Sequence, residues 1–211
     1  MYAIAGVSGH TGRVVAERLL AAGRGVRVIV RDAAKGEAWA KKGAEVAVAD
    51  LDDAAALEAA FAGAEGAYVL LPPTPTADDV GAVQAARVAA LVAAVAGAKV
   101  PHVVLLSSIG AHLASGTGPI VGLHHAERAL AAVAPRFTAL RAGYFLENWG
   151  SALGGLADGV FPTFVGADTR VEMVASWPAA CLEPRSSSSR AGRGTRPGRS
   201  RRRSGASRGA R

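Results

Sequence analysis

Short apolar segments alternate with longer amphipathic segments along most of this chain. The short segments are rich in aliphatic residues, which is typical of strands that are buried on both faces of a parallel sheet. These predicted strands cover residues 2–5, 26–30, 45–49, 67–71, 102–106 and 137–141. The regular alternation of strand and helix signals predicts β-α units joined by right-handed crossovers.

The segments between the strands carry apolar residues at helical spacing. The predicted helices cover residues 13–22, 33–42, 53–62, 76–98 and 122–133. Asp52 or Asp53 is expected to cap the third helix, and Asp78 and Asp79 to give the fourth an acidic first turn. The pattern predicts an α/β fold with a doubly wound, parallel, Rossmann-like sheet in the order 3-2-1-4-5-6.

The turn after the first strand carries the most informative motif. It reads Gly6-Val7-Ser8-Gly9-His10-Thr11-Gly12, a G-x-x-G-x-x-G spacing that leads into an amphipathic helix. Glycines let the backbone approach a pyrophosphate, and the first N–H groups of the helix attract its negative charge. The context therefore predicts dinucleotide binding, with a plain tight turn as the alternative.

The residues after the second strand bear on the choice of dinucleotide. An Asp or Glu there would accept a hydrogen bond from a ribose 2′-hydroxyl, but this chain has Arg31. Arg31, with Lys35 one turn later, suits a 2′-phosphate instead, so we expect NADP(H) to be preferred over NAD(H). The alternative is an exposed pair of cations at the start of a helix.

Two further strand ends are expected to contact the cofactor. Asp50 and Leu51 follow the third strand, where an adenine edge would lie, although an ordinary capping loop has the same composition. Leu71 and Pro72 end the fourth strand and would pass beneath a ribose. Pro72-Pro73 is also a simple strand stop.

Five segments together resemble the NmrA-like family of atypical short-chain dehydrogenases. They are Gly6-x-x-Gly9-x-x-Gly12, Val30-Arg31-Asp32, Ala49-Asp50-Leu51-Asp52, Leu105-Leu106-Ser107-Ser108 and Leu140-Arg141-Ala142-Gly143-Tyr144-Phe145-Leu146-Glu147-Asn148-Trp149. The resemblance extends from residue 1 to about residue 175, and the last segment is its most specific part. It implies a cofactor site that contains Gly6, Ser8, Gly9, His10, Thr11, Gly12, Arg31, Lys35 and Asp50.

The family includes NAD(P)H-dependent quinone and azo-dye reductases, and redox-sensing regulators that bind the dinucleotide without turning it over. The resemblance therefore implies an NADPH-dependent oxidoreductase of quinone-like acceptors, with a non-catalytic NAD(P)-sensing regulator as the alternative. The Tyr-x-x-x-Lys pair of ordinary short-chain dehydrogenases is absent, because the tyrosines are Tyr2, Tyr68 and Tyr144 and no lysine follows Lys99. Hydride transfer to a quinone does not require that pair, because the acceptor is already activated.

Three residues are candidates for a catalytic role. Ser107 ends the fifth strand, His125 lies beside His124 on the next helix, and Tyr144 follows the sixth strand. A serine there would hold a substrate carbonyl, a histidine would donate a proton near neutral pH, and Tyr144 would stack on a flat acceptor. Each of the three also has an ordinary structural explanation.

The remaining composition bears on location. Cys181 is the only cysteine, so no intrachain disulfide is possible, and a cytoplasmic setting is expected. The most apolar stretch, residues 80–100, contains Arg87 and Lys99, so no membrane-spanning segment is expected. No secretory leader is expected either, because the first predicted strand starts at once.

Charge divides the chain into two parts. Residues 1–184 hold all 17 acidic residues and 14 of the Lys and Arg residues, a net −3, whereas residues 185–211 hold 10 Arg and no acid. We expect a dinucleotide-binding domain over residues 1–175, followed by a disordered Arg-Ser-Gly-rich tail over residues 176–211.

The tail has two explanations. Its composition is typical of out-of-frame translation of a GC-rich gene, which predicts a frameshift and a truncated substrate-binding part. The alternative is a genuine basic tail, which would bind nucleic acid without sequence specificity through phosphate contacts.

Overall fold

The chain folds as alternating strands and helices. This computed structural model describes residues 1–74, 76–160, 166 and 168–176. The strands are β1 (Tyr2–Ile4), β2 (Val26–Val30), β3 (Glu45–Val48), β4 (Gly66–Leu70), β5 (His102–Ser108), β6 (Arg136–Ala142), β7 (Tyr144–Phe145) and β8 (Met173–Val174). The α-helices are α1 (His10–Ala21), α2 (Glu37–Ala40), α3 (Ala54–Phe61), α4 (Val80–Gly97) and α5 (Ile120–Val133), with 3-10 segments at Ala33–Gly36 and Leu146–Asp158.

The six long strands form one parallel sheet in the order β3-β2-β1-β4-β5-β6. This order confirms the predicted doubly wound, Rossmann-like α/β fold. The two short strands, β7 and β8, pair separately from the main sheet. Cys181 and residues 185–211 lie outside the described residues, as does nearly all of the predicted segment 176–211, so the tail and the domain boundary stay predictions.

Helices cover both faces of the main sheet. On one face α1 and α2 pack over a core that includes Ile4 and Val28. On the other face α3, α4 and α5 pack over a core that includes Ala3, Phe61 and Leu91. Consecutive residues of β1 enter different cores because successive side chains of a strand point to opposite faces.

The second predicted helix, residues 33–42, is mostly not α-helical. It begins as a 3-10 turn, and its α-helical part is confined to Glu37–Ala40. The Asp32 carboxylate accepts a hydrogen bond from the Ala34 N–H at 3.0 Å and starts the turn. Gly36 then packs against Val46 of β3 so closely that a Cβ would overlap the valine. The 3-10 turn ends at this glycine, and the single α-helical turn begins at the next residue, Glu37.

Aspartate caps set the starts of α3 and α4. The Asp53 carboxylate accepts a hydrogen bond from the Ala56 N–H at 3.0 Å, so Asp53 is the cap of α3. The Asp79 carboxylate accepts a hydrogen bond from the Ala82 N–H at 2.9 Å and starts α4 at Val80. The predicted start of this helix at residue 76 was wrong, and its aspartates precede the helix instead of forming its first turn.

Helix α4 has the length and apolar composition that a membrane span would need, and it is the one helix of the described residues that does. It packs against α3 and α5, and 33% of it is buried. The helices of a soluble core pass the same test of length and composition.

Strands β3 and β6 are the outer strands of the main sheet. β6 pairs with β5 along its whole length, from His102 opposite Arg136 to Ser108 opposite Ala142. Because all six strands are parallel, their carboxyl ends meet at one edge of the sheet. Ligands bind at that edge in folds of this kind.

Candidate functional site

The turn between β1 and α1 is built on two glycines that no other residue could replace without a shift. Gly6 has a φ of +71°, in the left-handed region, and its carbonyl accepts a hydrogen bond from the Gly9 N–H at 2.9 Å. A Cβ at Gly12 would lie 2.5 Å from the Gly6 oxygen and 2.6 Å from the Ala5 oxygen. The helix therefore starts in direct contact with the end of the first strand.

Helix α1 begins with backbone N–H groups that have no acceptor within the helix, as every α-helix does. Its N-cap residue, Gly9, is extended and supplies no side-chain acceptor. The first turn holds no acidic residue, and Ser8, Gly9 and His10 are exposed, whereas Thr11 is half-buried. This helix end can therefore receive an anion such as a pyrophosphate.

Arg31 and Lys35 lie beyond the end of β2, next to this turn in the sheet order. Both side chains are exposed. Among the described residues neither pairs with a carboxylate, unlike Arg27 with Glu45. Asp32 lies between them, but its carboxylate is occupied by the start of the 3-10 turn. Two exposed cations without a carboxylate partner among the described residues are suited to bind a phosphate.

The ends of β3 and β4 are tied together by one side chain. Arg87 of α4 donates hydrogen bonds to both carboxylate oxygens of Asp52, at 2.9 and 3.4 Å, and to the Pro72 carbonyl at 3.3 Å. Asp50 accepts a hydrogen bond from the Asp52 N–H at 3.1 Å, which makes it a turn residue. Its own carboxylate remains exposed at the sheet edge.

Leu51 and Leu71, which we also predict to lie near the cofactor, are half-buried against the core. Both follow a strand at the carboxyl edge. The assignment of all the cofactor residues stays a prediction.

A cavity of about 410 Å³ opens at the carboxyl ends of β4, β5 and β6. Its wall is mostly apolar, and its polar side chains come from serine, tyrosine and asparagine. The lining residues are Leu70, Leu71, Leu106, Ser107, Ser108, Ile109, Ile120, Leu123, Ala142, Gly143, Tyr144, Phe145, Asn148 and Val171. Its volume is within the range of pockets that hold small organic ligands.

The Tyr144 ring, which lines this cavity, is close to a second aromatic ring outside it. The Tyr144 ring lies 5.5 Å from the Trp149 ring, centroid to centroid, at an interplanar angle of 55°. The Trp149 indole N–H donates to the Met173 sulfur at 3.4 Å. The contact links the segment after β6 to β8.

An ionic cluster lies beside the cavity wall: Ser107 and Glu127 are buried, whereas the Arg141 side chain is 44% exposed. No sequence motif pointed to a role for Glu127 or Arg141. Ser107 donates a hydrogen bond to Glu127 Oε1 at 2.5 Å. Arg141 Nε donates to the same oxygen at 2.9 Å, and its Nη2 donates to Oε2 at 2.5 Å. Ser107 and Arg141 are register neighbours on β5 and β6, and Glu127 reaches them from α5.

The electrostatics of this cluster follow from its geometry. The Arg141 guanidinium holds the pKa of Glu127 below its usual value against the opposing effect of burial, and the Ser107 hydroxyl lowers it further. Glu127 raises the pKa of Arg141 in return. Glu127 is therefore a carboxylate that only accepts hydrogen bonds near neutral pH.

The three candidate catalytic residues do not converge on one cavity. Ser107 and Tyr144 line the cavity of about 410 Å³, whereas His125 lines a separate groove of about 890 Å³ between α4 and α5. The neighbouring ring, His124, places its Nδ1 2.9 Å from the Ala111 carbonyl oxygen. The arrangement brings the serine and the tyrosine to one cavity wall and leaves the histidine outside it.

The sheet order, the glycine turn and the open helix end are the features of the dinucleotide-binding class of α/β proteins. The profile of the NmrA-like family matches residues 2–160, and the chain belongs to this family. The match confirms the resemblance that the five sequence segments carry.

Solved structures with the same fold include reductases. Triphenylmethane reductase from Citrobacter sp., in a complex with NADP(H), is 25% identical and has a TM-score of 0.63, and the alignment covers 74% of this chain and 53% of that chain. An NADPH-dependent quinone oxidoreductase from Escherichia coli, in a complex with NADPH, is 29% identical with a TM-score of 0.63, covering 75% of this chain and 55% of that chain.

A nucleoside-diphosphate-sugar epimerase from Pseudomonas aeruginosa, at 20% identity and a TM-score of 0.64, shares the fold over 83% of this chain and 64% of that chain. The chain thus spans about half the length of the two reductases. A search of curated proteins finds no match.

Replacing Gly12 with alanine tests the close contact between α1 and β1. Gly12→Ala is expected to lower the free energy of unfolding by roughly 1–3 kcal/mol, because the new Cβ would overlap two backbone oxygens that cannot move aside. This loss outweighs the gain of about 1 kcal/mol in helix propensity. Denaturant unfolding measures it. Gly9→Ala is the control, since a Cβ there would lie 3.4 Å from the nearest backbone atom, and equal effects of the two substitutions would contradict the argument.

Replacing Glu127 with glutamine tests the ionic cluster through pH. The folded pKa of Glu127 is depressed, so its stabilising contribution is present above the pKa of the unfolded chain and is lost as pH falls through the folded pKa. Glu127→Gln is expected to lower the free energy of unfolding by about 1–3 kcal/mol at neutral pH, with a difference from the parent chain that shrinks in acid. Thermal unfolding from about pH 3 to about pH 7 measures this difference, and a constant difference over that range would contradict the prediction.

Proposed function

We propose that this chain binds NADPH at the carboxyl edge of the main sheet and reduces a quinone-like acceptor in the adjoining cavity. One observation carries the proposal. The glycine turn with its open helix end and the apolar cavity at β4, β5 and β6 lie along the same sheet edge. A dinucleotide site and an acceptor site are therefore neighbours in a single fold.

The residues at the edge suit NADPH in their chemistry. Gly6 and Gly12 form a backbone turn that a Cβ would fill, and the first turn of α1 offers donors for the pyrophosphate. Arg31 and Lys35 are the cations that would hold a 2′-phosphate, with Asp50 and Leu71 on the flanking strand ends. When bound, the nicotinamide supplies a hydride.

The cavity suits a flat, weakly polar acceptor. Leucine and isoleucine side chains make most of its wall apolar, and the Tyr144 hydroxyl would orient an oxygen of the acceptor. The proton that completes the reduction of a quinone would come from water or from the Tyr144 hydroxyl. His125 would not donate this proton, because it lines a different groove.

A redox-sensing regulator that binds the dinucleotide without turning it over is the second candidate. Like a quinone reductase, and unlike a carbonyl reductase, it would not need the missing Tyr-x-x-x-Lys pair. Retained binding of NADPH without oxidation by any acceptor would support the regulator. Association with nucleic acid through residues 185–211 and a cytoplasmic location stay predictions.

Titration with NADPH and NADH tests the cofactor assignment. We expect tighter binding of NADPH than of NADH, and we expect Arg31→Ala to weaken NADPH binding by about 10- to 100-fold with little effect on NADH, because one charge-assisted contact is lost. Isothermal calorimetry on the full chain gives both dissociation constants.

Arg24→Ala is the matched control for this titration. Arg24 is an exposed arginine that precedes β2, at the opposite end of the strand from Arg31, so its removal is expected to leave both constants unchanged. Equal losses of NADPH affinity in the two variants would show that the effect comes from net charge and not from a contact made by Arg31. Equal affinity of the parent chain for NADPH and NADH would contradict the predicted preference for NADPH.

Filling the cavity tests the acceptor site. Leu123→Trp adds bulk to the wall and is expected to lower kcat/KM for 1,4-naphthoquinone at least about tenfold, while the dissociation constant of NADPH stays the same. Oxidation of NADPH followed by absorbance gives the rates. Leu113→Trp, at a residue that is 47% exposed on the loop after β5, should leave both values unchanged. A normal rate in Leu123→Trp would place the acceptor elsewhere.

A further inference from the structure

The Ser107 hydroxyl has one proton, and it donates this proton to the Glu127 carboxylate. The oxygen lies 2.5 Å from Glu127 Oε1, the short distance that is typical of a hydroxyl donating to a carboxylate. Ser107 is only 4% exposed and Glu127 only 8%. Water therefore competes little for the proton within this buried pair.

Arg141 keeps Glu127 in its acceptor form. Two guanidinium nitrogens bind the two carboxylate oxygens in a bidentate arrangement. A carboxylate bound in this way has no proton to give, so the hydrogen bond with Ser107 can run in one direction only. Any further bond made by the Ser107 oxygen must use a lone pair.

We propose that Glu127 and Arg141 are positioning residues that make Ser107 an acceptor in the cavity, so that the cavity prefers flat apolar ligands that carry a hydroxyl donor. The inference rests on the proposed function in that it takes this cavity as the ligand site. The sequence suggests that Ser107 holds a substrate carbonyl, a role in which its hydroxyl would donate a hydrogen bond. The proposal reverses this role, because the Ser107 oxygen would accept a hydrogen bond from the ligand.

The preference has a consequence for the proposed reaction. A quinone presents only acceptor oxygens, and the addition of one hydride and one proton converts it to a hydroquinone with two hydroxyl donors. Ser107 would therefore bind the reduced product and not the oxidised substrate. The Tyr144 hydroxyl, which can donate, would bind the quinone oxygen instead.

Two probes without redox activity separate this inference from turnover. The full chain, without nucleotide, is titrated at neutral pH with 2-naphthol, which donates a hydrogen bond, and with 2-methoxynaphthalene, which cannot. We expect about tenfold tighter binding of 2-naphthol, the effect of one good hydrogen bond. Ser107→Ala should bind the two compounds equally, with the affinity for 2-methoxynaphthalene unchanged.

Substitutions in the cluster test the positioning role. Glu127→Gln should reduce the preference, because a glutamine amide can donate to Ser107 and release its proton to the cavity. Arg141→Lys, which keeps a cation beside Glu127, should retain most of the preference. Ser115→Ala, in the exposed loop before α5, is the control that should change nothing. Circular dichroism checks that each variant is folded, and the Ser107→Ala result decides the matter if Glu127→Gln does not fold.

Three outcomes would overturn the inference. They are equal binding of both compounds by the parent chain, a preference that persists in Ser107→Ala, and binding of neither compound. The parallel titration with NADPH identifies a failure of the proposed function separately. If the chain prefers 2-naphthol but does not bind NADPH, the acceptor role of Ser107 stands and the proposed reductase function fails.

Discussion

The contact between the start of α1 and the end of β1 is the constraint on which the rest of the site depends. At Gly12 the helix backbone comes so close to the Ala5 and Gly6 carbonyls that there is no space for a Cβ. This contact fixes the direction in which the helix leaves the sheet. Its open N–H groups then face the same edge as the carboxyl ends of the neighbouring strands. A looser packing of the helix would move the anion site away from the cavity.

Both cores are built mainly from small aliphatic side chains. Alanine and valine are abundant in both cores, and few aromatic rings are buried. Small side chains bring helices close to the sheet, where a single methyl group matters because interiors are densely packed. Ser107 and Glu127 lie within this tight framework, and Glu127 joins Ser107 to the exposed Arg141 at its margin.

Much of the fold could be predicted from the sequence, because the strands are continuous aliphatic runs and the glycine turn lies between a strand and a helix. The start of α4 could not, because two consecutive aspartates can serve as a cap or as a first turn. The ionic cluster was missed because it depends on the register of β5 with β6, which sets Ser107 opposite Arg141. The prediction that His125 faces the reaction site depended in the same way on the orientation of α5, which the sequence does not reveal. Two residues along α5 turn by about 200°, so Glu127 is buried where His125 is exposed.

The two edges of the outer strand β6 differ. Its inner edge is fully hydrogen-bonded to β5, and no strand among the described residues pairs with its outer edge. Leu140, at 47% exposure, stands beside that row of backbone donors and acceptors. Unpaired strands of this length act as templates for other chains. A strand of a second chain that added to this edge would meet Arg136, an exposed cation at the start of β6, and two such cations brought together would oppose the pairing.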